Sequence, residues 1–363
     1  MNDLPFPHSA THNSRGSAPL AGAELKSEPL SSKPVAAFFL PQESLSAVYG
    51  SAAKAELEDL VRFVDLAPGR TEQHQPSVAN HQVEALFTGW YSPALNSETL
   101  DQFPALRVVF HAGGSVKSMV TDAFWDRGLR VTCTARANAV PVAEYTLAQI
   151  ILSLKHVWRS ARDTREARRW VRNDHAVPSC YGSTVGVISL GLIGRMVIER
   201  LRQLEVEIIC HDPYLTENEA RVLGATSCTL EEICSRADVV SCHTPLLAET
   251  THLLRGRHFA SMKPGAAFIN TARGSVVHEL ELIAVLERRP DLLAVLDVTD
   301  PEPPLPNSQL FTLPNVILTP HIAGSIGPEC RRMGRMIIDE VRRYRAGEPL
   351  MGEVVREQLS RLA

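Results

Sequence analysis

The sequence predicts an α/β protein built of two doubly wound parallel-sheet domains with a cleft between them. Three observations carry the prediction. Short apolar runs alternate with amphipathic helical stretches, the pattern of parallel strands covered on both faces. That alternation occurs twice, on either side of a long helical stretch beginning near residue 141. At 363 residues the chain is long enough for two separate cores.

Taken in order, residues 1–33 are rich in Ser, Pro, His and Ala and carry no apolar period, so a flexible tail is expected there. From Val35 the texture changes. Residues 35–40 read as a buried strand, 53–64 as a helix and 84–90 as a short strand. Residues 105–114 read as a strand with a glycine turn, and 121–134 as a helix followed by a strand. Pro141 predicts a turn, after which 142–170 read as one long helix, apolar first and arginine-rich later. Strands resume at 184–190, 205–212, 237–245, 265–274, 291–298 and 315–321, with helices between several of them. Met333, Met336, Ile337 and Val341 then repeat at helical spacing. The expected division is a first domain over 34–140, completed by 324–355, and a second domain over 141–323.

Apolar residues make up 44% and charged residues 21%, ordinary for a soluble globular chain. A net charge of −4 gives no electrostatic reason to expect nucleic acid. No apolar run approaches the roughly 20 residues that cross a bilayer, and the N-terminus lacks an apolar signal core, so no membrane partner and a cytoplasmic location are expected. Cys133, Cys180, Cys210, Cys228, Cys234, Cys242 and Cys330 form no CxxC pair, and several fall in strands; reduced core thiols are expected. His211 and His243 lie beside cysteines but lack a third ligand, so no metal site is expected.

The second series opens with a cofactor fingerprint. Gly186, Ser189, Gly191 and Gly194 sit where a strand turns into a helix. Glycines there let the backbone approach a pyrophosphate resting on the helix N-terminus, as in Rossmann-type domains. Asp212 ends the next strand, eighteen residues after Gly194, where an acid can bind both adenosine ribose hydroxyls. It would repel a 2′-phosphate, so NAD is favoured over NADP. Ser189 stands at the first glycine of the usual pattern, so the turn is made with some strain and cofactor affinity is loosened.

The ordered motifs T-V-G-V-I-S-L-G-L-I-G, H-D-P-Y, C-H-T-P-L-L-A-E-T, M-K-P-G-A-A-F-I-N-T-A-R-G, L-D-V-T-D-P-E-P and L-T-P-H-I-A-G resemble the D-isomer-specific 2-hydroxyacid dehydrogenases, which include phosphoglycerate, glyoxylate/hydroxypyruvate and D-lactate dehydrogenases. The resemblance spans roughly 85–340. It implies an NAD-binding Rossmann-type domain beside a flavodoxin-like substrate domain. It also implies hydride transfer between NAD and a small 2-keto/2-hydroxy acid. Arg273 matches the arginine that binds the carboxylate and polarises the carbonyl, His321 the general acid/base, and Glu302 the carboxylate that orients the imidazole and keeps it protonated. Asp297 matches the acid near the nicotinamide carboxamide. The cofactor contacts implied are Gly191, Leu192, Ile193, Gly194, Asp212, Thr244, Pro245, Thr271, Ala272, Arg273, Asp297, His321 and Gly324. A carboxylate at 302, where the related formate dehydrogenases carry glutamine, implies proton-coupled keto-acid chemistry. The short chain after the last helix predicts no added regulatory domain.

Gly113, Gly114 and Ser115 resemble the family's substrate loop, whose N–H groups can hold a carboxylate together with Arg273. The family usually reads G-x-G-x-D, whereas this chain has Ser115 at the second glycine and Lys117 at the aspartate. Lys117 reads either as a solvated surface charge or as a residue favouring a more anionic substrate. Trp90 reads equally as a pocket lid and as a core residue.

Two rivals stand beside the enzyme. Arg159, Arg162, Arg165, Arg168, Arg169 and Arg172, with Trp158 and Trp170, could form a nucleic-acid surface. Asp163 and Glu166 interrupt that charge, and the resemblance places this helix at a homodimer interface instead. The other rival is an NAD-binding regulatory protein, like the corepressors that share this fold and trio. Tight NAD binding without turnover would distinguish it.

Overall fold

The computed structural model describes residues 30–66, 79–172 and 177–359, so nearly all of the predicted tail lies outside the described residues. Strands β1 (Val35–Phe38), β2 (Arg62–Phe63), β3 (Ala85–Gly89), β4 (Val108–Ala112) and β5 (Arg130–Cys133) form a parallel sheet in the order 2-1-3-4-5. That is the flavodoxin-like order. Seven further strands form the second sheet: β6 (Tyr181–Ile188), β7 (Glu205–His211), β8 (Thr226–Ser227), β9 (Val239–Cys242), β10 (Ala267–Asn270), β11 (Leu293–Leu296) and β12 (Val316–Leu318). Their order, 12-11-10-9-6-7-8, is the Rossmann order extended by one strand. Strand β13 (Glu353–Val354) returns to the first sheet, antiparallel to β5.

Register levels the strand ends where loops can converge. Ile188 faces both His211 and Cys242, and Asn270 faces both Cys242 and Leu296. In the first sheet Gly89 faces Ala112. Ligands of open α/β sheets bind beyond such carboxyl ends.

Strands β3 and β4 are buried at every position, as parallel strands covered on both faces must be. One covering element is the helix Cys330–Ala346. Its Met333, Ile337, Ile338 and Val341 pack against Ala36, Phe87, Val108 and Phe110. Each such side chain stabilises by about 1.5–3 kcal/mol, which fixes the C-terminal return to the first sheet.

The structure departs from the sequence expectations at three points. Strands β2, β8 and β13 have two residues each, too short to show an alternation, and residues 62–63 had read as the end of a helix. Pro141 makes no turn, for it lies inside the helix Ala135–Leu154. The helix tolerates the lost backbone bond because Ala137, Ala139, Val142 and Ala143 beside it are buried. The long helix is also two: His156 adopts φ +50, and a second helix, Val157–Ala167, ends at Arg168 in the left-handed region. Nothing in that second helix is buried, so no apolar stripe extends it, and Arg168, Arg169 and Arg172 lie beyond it.

All seven cysteines are free; Cys180 and Cys228 are half-buried and the others buried. Burial pushes the Cys210 thiol up to about 11 and Cys234 to about 12, which keeps both protonated. Among the described residues no helix is long and apolar enough to cross a membrane.

Candidate active site

The glycine turn follows β6. Ser189 adopts φ +69, a conformation that costs a side-chain-bearing residue about 1 kcal/mol or more. Its Oγ lies 2.9 Å from Thr244 Oγ1 in the loop after β9. A Cβ on Gly194 would overlap the Ser189 carbonyl, so the helix Leu192–Leu201 can start this close to the strand only with glycine there. A Cβ on Gly191 would meet nothing within 4 Å. No side chain caps this helix, and among the described residues the N–H groups of Gly191, Leu192, Ile193 and Gly194 meet no acceptor. Four unsatisfied donors at a helix start whose first residues, Gly191 and Leu192, are exposed fit a dinucleotide pyrophosphate. Asp212, just past β7, is partly committed: its Oδ2 accepts from Leu190 N at 2.7 Å and its Oδ1 from Tyr214 N at 2.9 Å. The predicted ribose acid therefore also ties down the glycine turn.

Arg273 follows β10. Asn270, which the sequence reading passed over, shapes its loop, with Oδ1 accepting from Ala272 N at 3.0 Å and Nδ2 donating to Arg273 O at 3.0 Å. Arg273 itself donates to Ala272 O at 2.7 Å. A Cβ on Gly274 would overlap the backbone of Thr299 and Asp300, so glycine admits the segment carrying Glu302. Burial lowers the Arg273 pKa, and the Glu302 charge opposes that shift. Thr271 bonds Thr146 through their hydroxyls at 3.2 Å. Pro245 O accepts from Thr250 Oγ1 at 2.6 Å.

His321 follows β12 at φ +54, its Nδ1 2.6 Å from Glu302 Oε1. Both side chains are nearly half exposed, at 48% and 43%, so the pair is open to solvent. Asp297 is buried, and its carboxylate takes Thr319 Oγ1 and Ile322 N on Oδ1 and Ala323 N on Oδ2. Tyr145 OH joins this network at Thr319 Oγ1, 3.0 Å away.

On the first sheet, Gly113, Gly114 and Ser115 lie just past β4. His111 supports them from below: buried, it lies 3.0 Å from Thr88 Oγ1 and hydrogen-bonds the Ser115 backbone. Among the described residues no acceptor meets the N–H groups of Gly114 or Ser115, which suits an anion nest. Trp90 is half-buried and packs on the first sheet's core. Asn138 ties this loop to the histidine turn. Its Oδ1 accepts from Ser325 N at 2.9 Å, and Cβ atoms on Gly114 and Gly324 would each come within 3.2 Å of its amide. Asn138, Tyr145 and Asn270 were invisible as site residues because a polar residue in a helix or at a strand end carries no signature of what it bridges.

Residues 147–323 match the sequence profile described as "D-isomer specific 2-hydroxyacid dehydrogenase, NAD binding domain". The chain is 32% identical over 260 residues to D-3-phosphoglycerate dehydrogenase of Bacillus subtilis, covering 72% of this chain and 49% of that protein. It thus spans about half the length of the curated phosphoglycerate dehydrogenases it matches. It is 34% identical over 250 residues to (S)-sulfolactate dehydrogenase of Chromohalobacter salexigens, covering 69% of this chain and 81% of that one. Its fold matches the apo D-mandelate dehydrogenase of Rhodotorula graminis with a TM-score of 0.74 at 22% identity, over 90% of this chain and 98% of the other. With these matches laid over the uncapped glycine turn and the loops gathered at the strand ends, the chain belongs to the D-isomer-specific 2-hydroxyacid dehydrogenase family.

Proposed function

We propose that the protein is an NAD-dependent reductase of a 2-keto acid, yielding the D-2-hydroxy acid, or catalysing the reverse oxidation. The observation that carries the reading is the 2.6 Å contact between His321 Nδ1 and Glu302 Oε1, near the half-buried Arg273. NADH, when bound, supplies the hydride. Gly191, Leu192, Ile193 and Gly194 offer their N–H groups to its pyrophosphate and Asp212 accepts the ribose hydroxyls, with Thr244, Pro245, Thr271, Ala272 and Gly324 lining its path. Arg273 clamps the carboxylate and polarises the carbonyl, and Gly113, Gly114 and Ser115 add backbone donors. With Nδ1 engaged by Glu302, His321 presents Nε2 and delivers its proton to the keto oxygen. Asp297 positions the histidine turn at the nicotinamide end. On this reading the substrate domain is 34–140 with 324–355, and 141–323 hold the cofactor.

The test follows loss of NADH absorbance with a panel of 2-keto acids. Turnover with NADH preferred over NADPH is expected, and Asp212→Asn should narrow that preference. Equal use of both cofactors by the parent would refute the role of Asp212, and tight NADH binding without turnover of any acid would refute the reductase reading.

The chain is further proposed to form a homodimer through the helix Val157–Ala167. In support, a groove of about 650 Å³ bordered by Trp158, Arg162, Phe311 and Leu313 lies open beside it, and Trp170 is 85% exposed. Light scattering should give twice the mass of one chain; a monomer would overturn this.

A further inference from the structure

Lys117 does not behave as a surface charge. Half-buried at the end of the loop after β4, it extends Nζ to the Leu246 carbonyl, 3.3 Å away, in the loop after β9 of the other sheet. A depression of about 640 Å³ opens beside this bridge, bordered by Lys117, Leu246, Glu249, Thr251 and Ser275. Ser275 stands two residues from Arg273. Leu246 occupies one of the three ammonium donors, and among the described residues the other two meet no acceptor.

The electrostatics agree with that geometry. Burial first, then the Arg273 charge, hold the Lys117 ammonium below its usual range, and only the exposed Glu249 pulls the other way. The depression beside Lys117 takes in Ser275, next in the loop but one to Arg273, and the Arg273 charge bears on the ammonium; like charges so placed repel. A ligand with two negative groups gives each cation a partner, whereas a ligand with one leaves the other cation unpaired in a partly desolvated place.

We infer that the substrate is a 2-keto acid carrying a second anionic group beyond the carbonyl carbon, with Arg273 taking the carboxylate and Lys117 the distal anion. This rests on the reading of the site as a 2-keto acid reductase. The shared chemistry is the distal negative charge, whether carboxylate, sulfonate or phosphate.

The experiment measures kcat/KM with NADH for oxaloacetate, 3-sulfopyruvate and phosphohydroxypyruvate against 2-oxobutyrate and hydroxypyruvate. The parent should prefer the dianions, and the best of the three identifies the distal group. In Lys117→Met the ratio of dianion to monoanion kcat/KM should fall about 10- to 100-fold, the worth of a charge-assisted hydrogen bond, mostly through KM. Lys117→Arg should recover most of the ratio. Both variants are first checked for parental melting temperature and NADH affinity, so that misfolding is not read as lost recognition. A parent that prefers the monoanions, or a ratio unmoved in Lys117→Met, overturns the second-anion assignment while leaving the reductase reading standing. No turnover of any acid, with NADH bound, overturns both.

Discussion

Asp297 holds the turn that presents His321. The His321 N–H donates to the Asp297 carbonyl at 2.9 Å, and the Asp297 carboxylate accepts from the next two amides, Ile322 N at 2.8 Å and Ala323 N at 2.9 Å. These bonds hold His321 at φ +54, in the left-handed region that costs a side-chain-bearing residue about 1–2 kcal/mol. Asp297→Asn keeps one acceptor and turns an amide NH2 toward backbone donors. It should cost about 2–4 kcal/mol of stability, because hydrogen bonds to a charged group are lost. It should also lower kcat by about 10-fold or more, since small displacements of an acid/base group are costly. Denaturant melts and steady-state rates check this; unchanged stability would show that the turn holds itself.

The His321–Glu302 pair makes a sharper prediction. His321→Gln should lower kcat by about 10²–10⁴-fold, as for loss of a general acid. Arg273→Lys should also fail, because an ammonium cannot reproduce a bidentate fork. Glu302→Gln keeps a hydrogen-bond partner and removes the charge that favours imidazolium. Its reduction rate should therefore decline at lower pH than the parent's, with activity partly kept in acid. A profile that overlays the parent's would reduce Glu302 to a structural role.

Ser189 tests the cofactor turn. Ser189→Ala removes the bond to Thr244 but keeps the strained φ of +69, so it should lose about 1 kcal/mol. Ser189→Gly loses the same bond and relieves the strain, so it should be more stable than Ser189→Ala. Glycine below alanine in thermal melts would contradict the strain.

Acid stability should reflect the buried His111 and His243. Burial drops His111 from 6.5 to about 4, and His243 likewise from 6.5 to about 4. Above about pH 6.5 both are neutral in the folded and unfolded chain alike, and nothing is lost. As pH falls toward 4, the unfolded chain takes up protons that the folded one refuses, so stability drops by on the order of 2 kcal/mol per histidine by about pH 5. His111→Gln should flatten this dependence. Equal melting midpoints at about pH 7 and pH 5 in the parent would be inconsistent with it.

What sequence could determine by itself was whatever is written in consecutive residues. The alternation of strand and helix is local, so both sheets were foreseeable except for β2, β8 and β13, whose two residues each cannot show a period. Arg273 and His321 sit in motifs long enough to be recognised without coordinates, while Glu302 and the glycine turn are legible through their place in the ordered set. Tertiary structure alone decided what depends on residues far apart in the chain. It kept Pro141 inside a helix because buried neighbours outweigh one missing backbone bond. It made Asn138 a bridge to Ser325, 187 positions away. It carried Lys117 across to Leu246, 129 positions away, where it is half-buried rather than a solvated surface charge. The physical reason is common to these cases: burial and hydrogen-bond partners are set by how the two sheets pack, and no local pattern of residues encodes that distance.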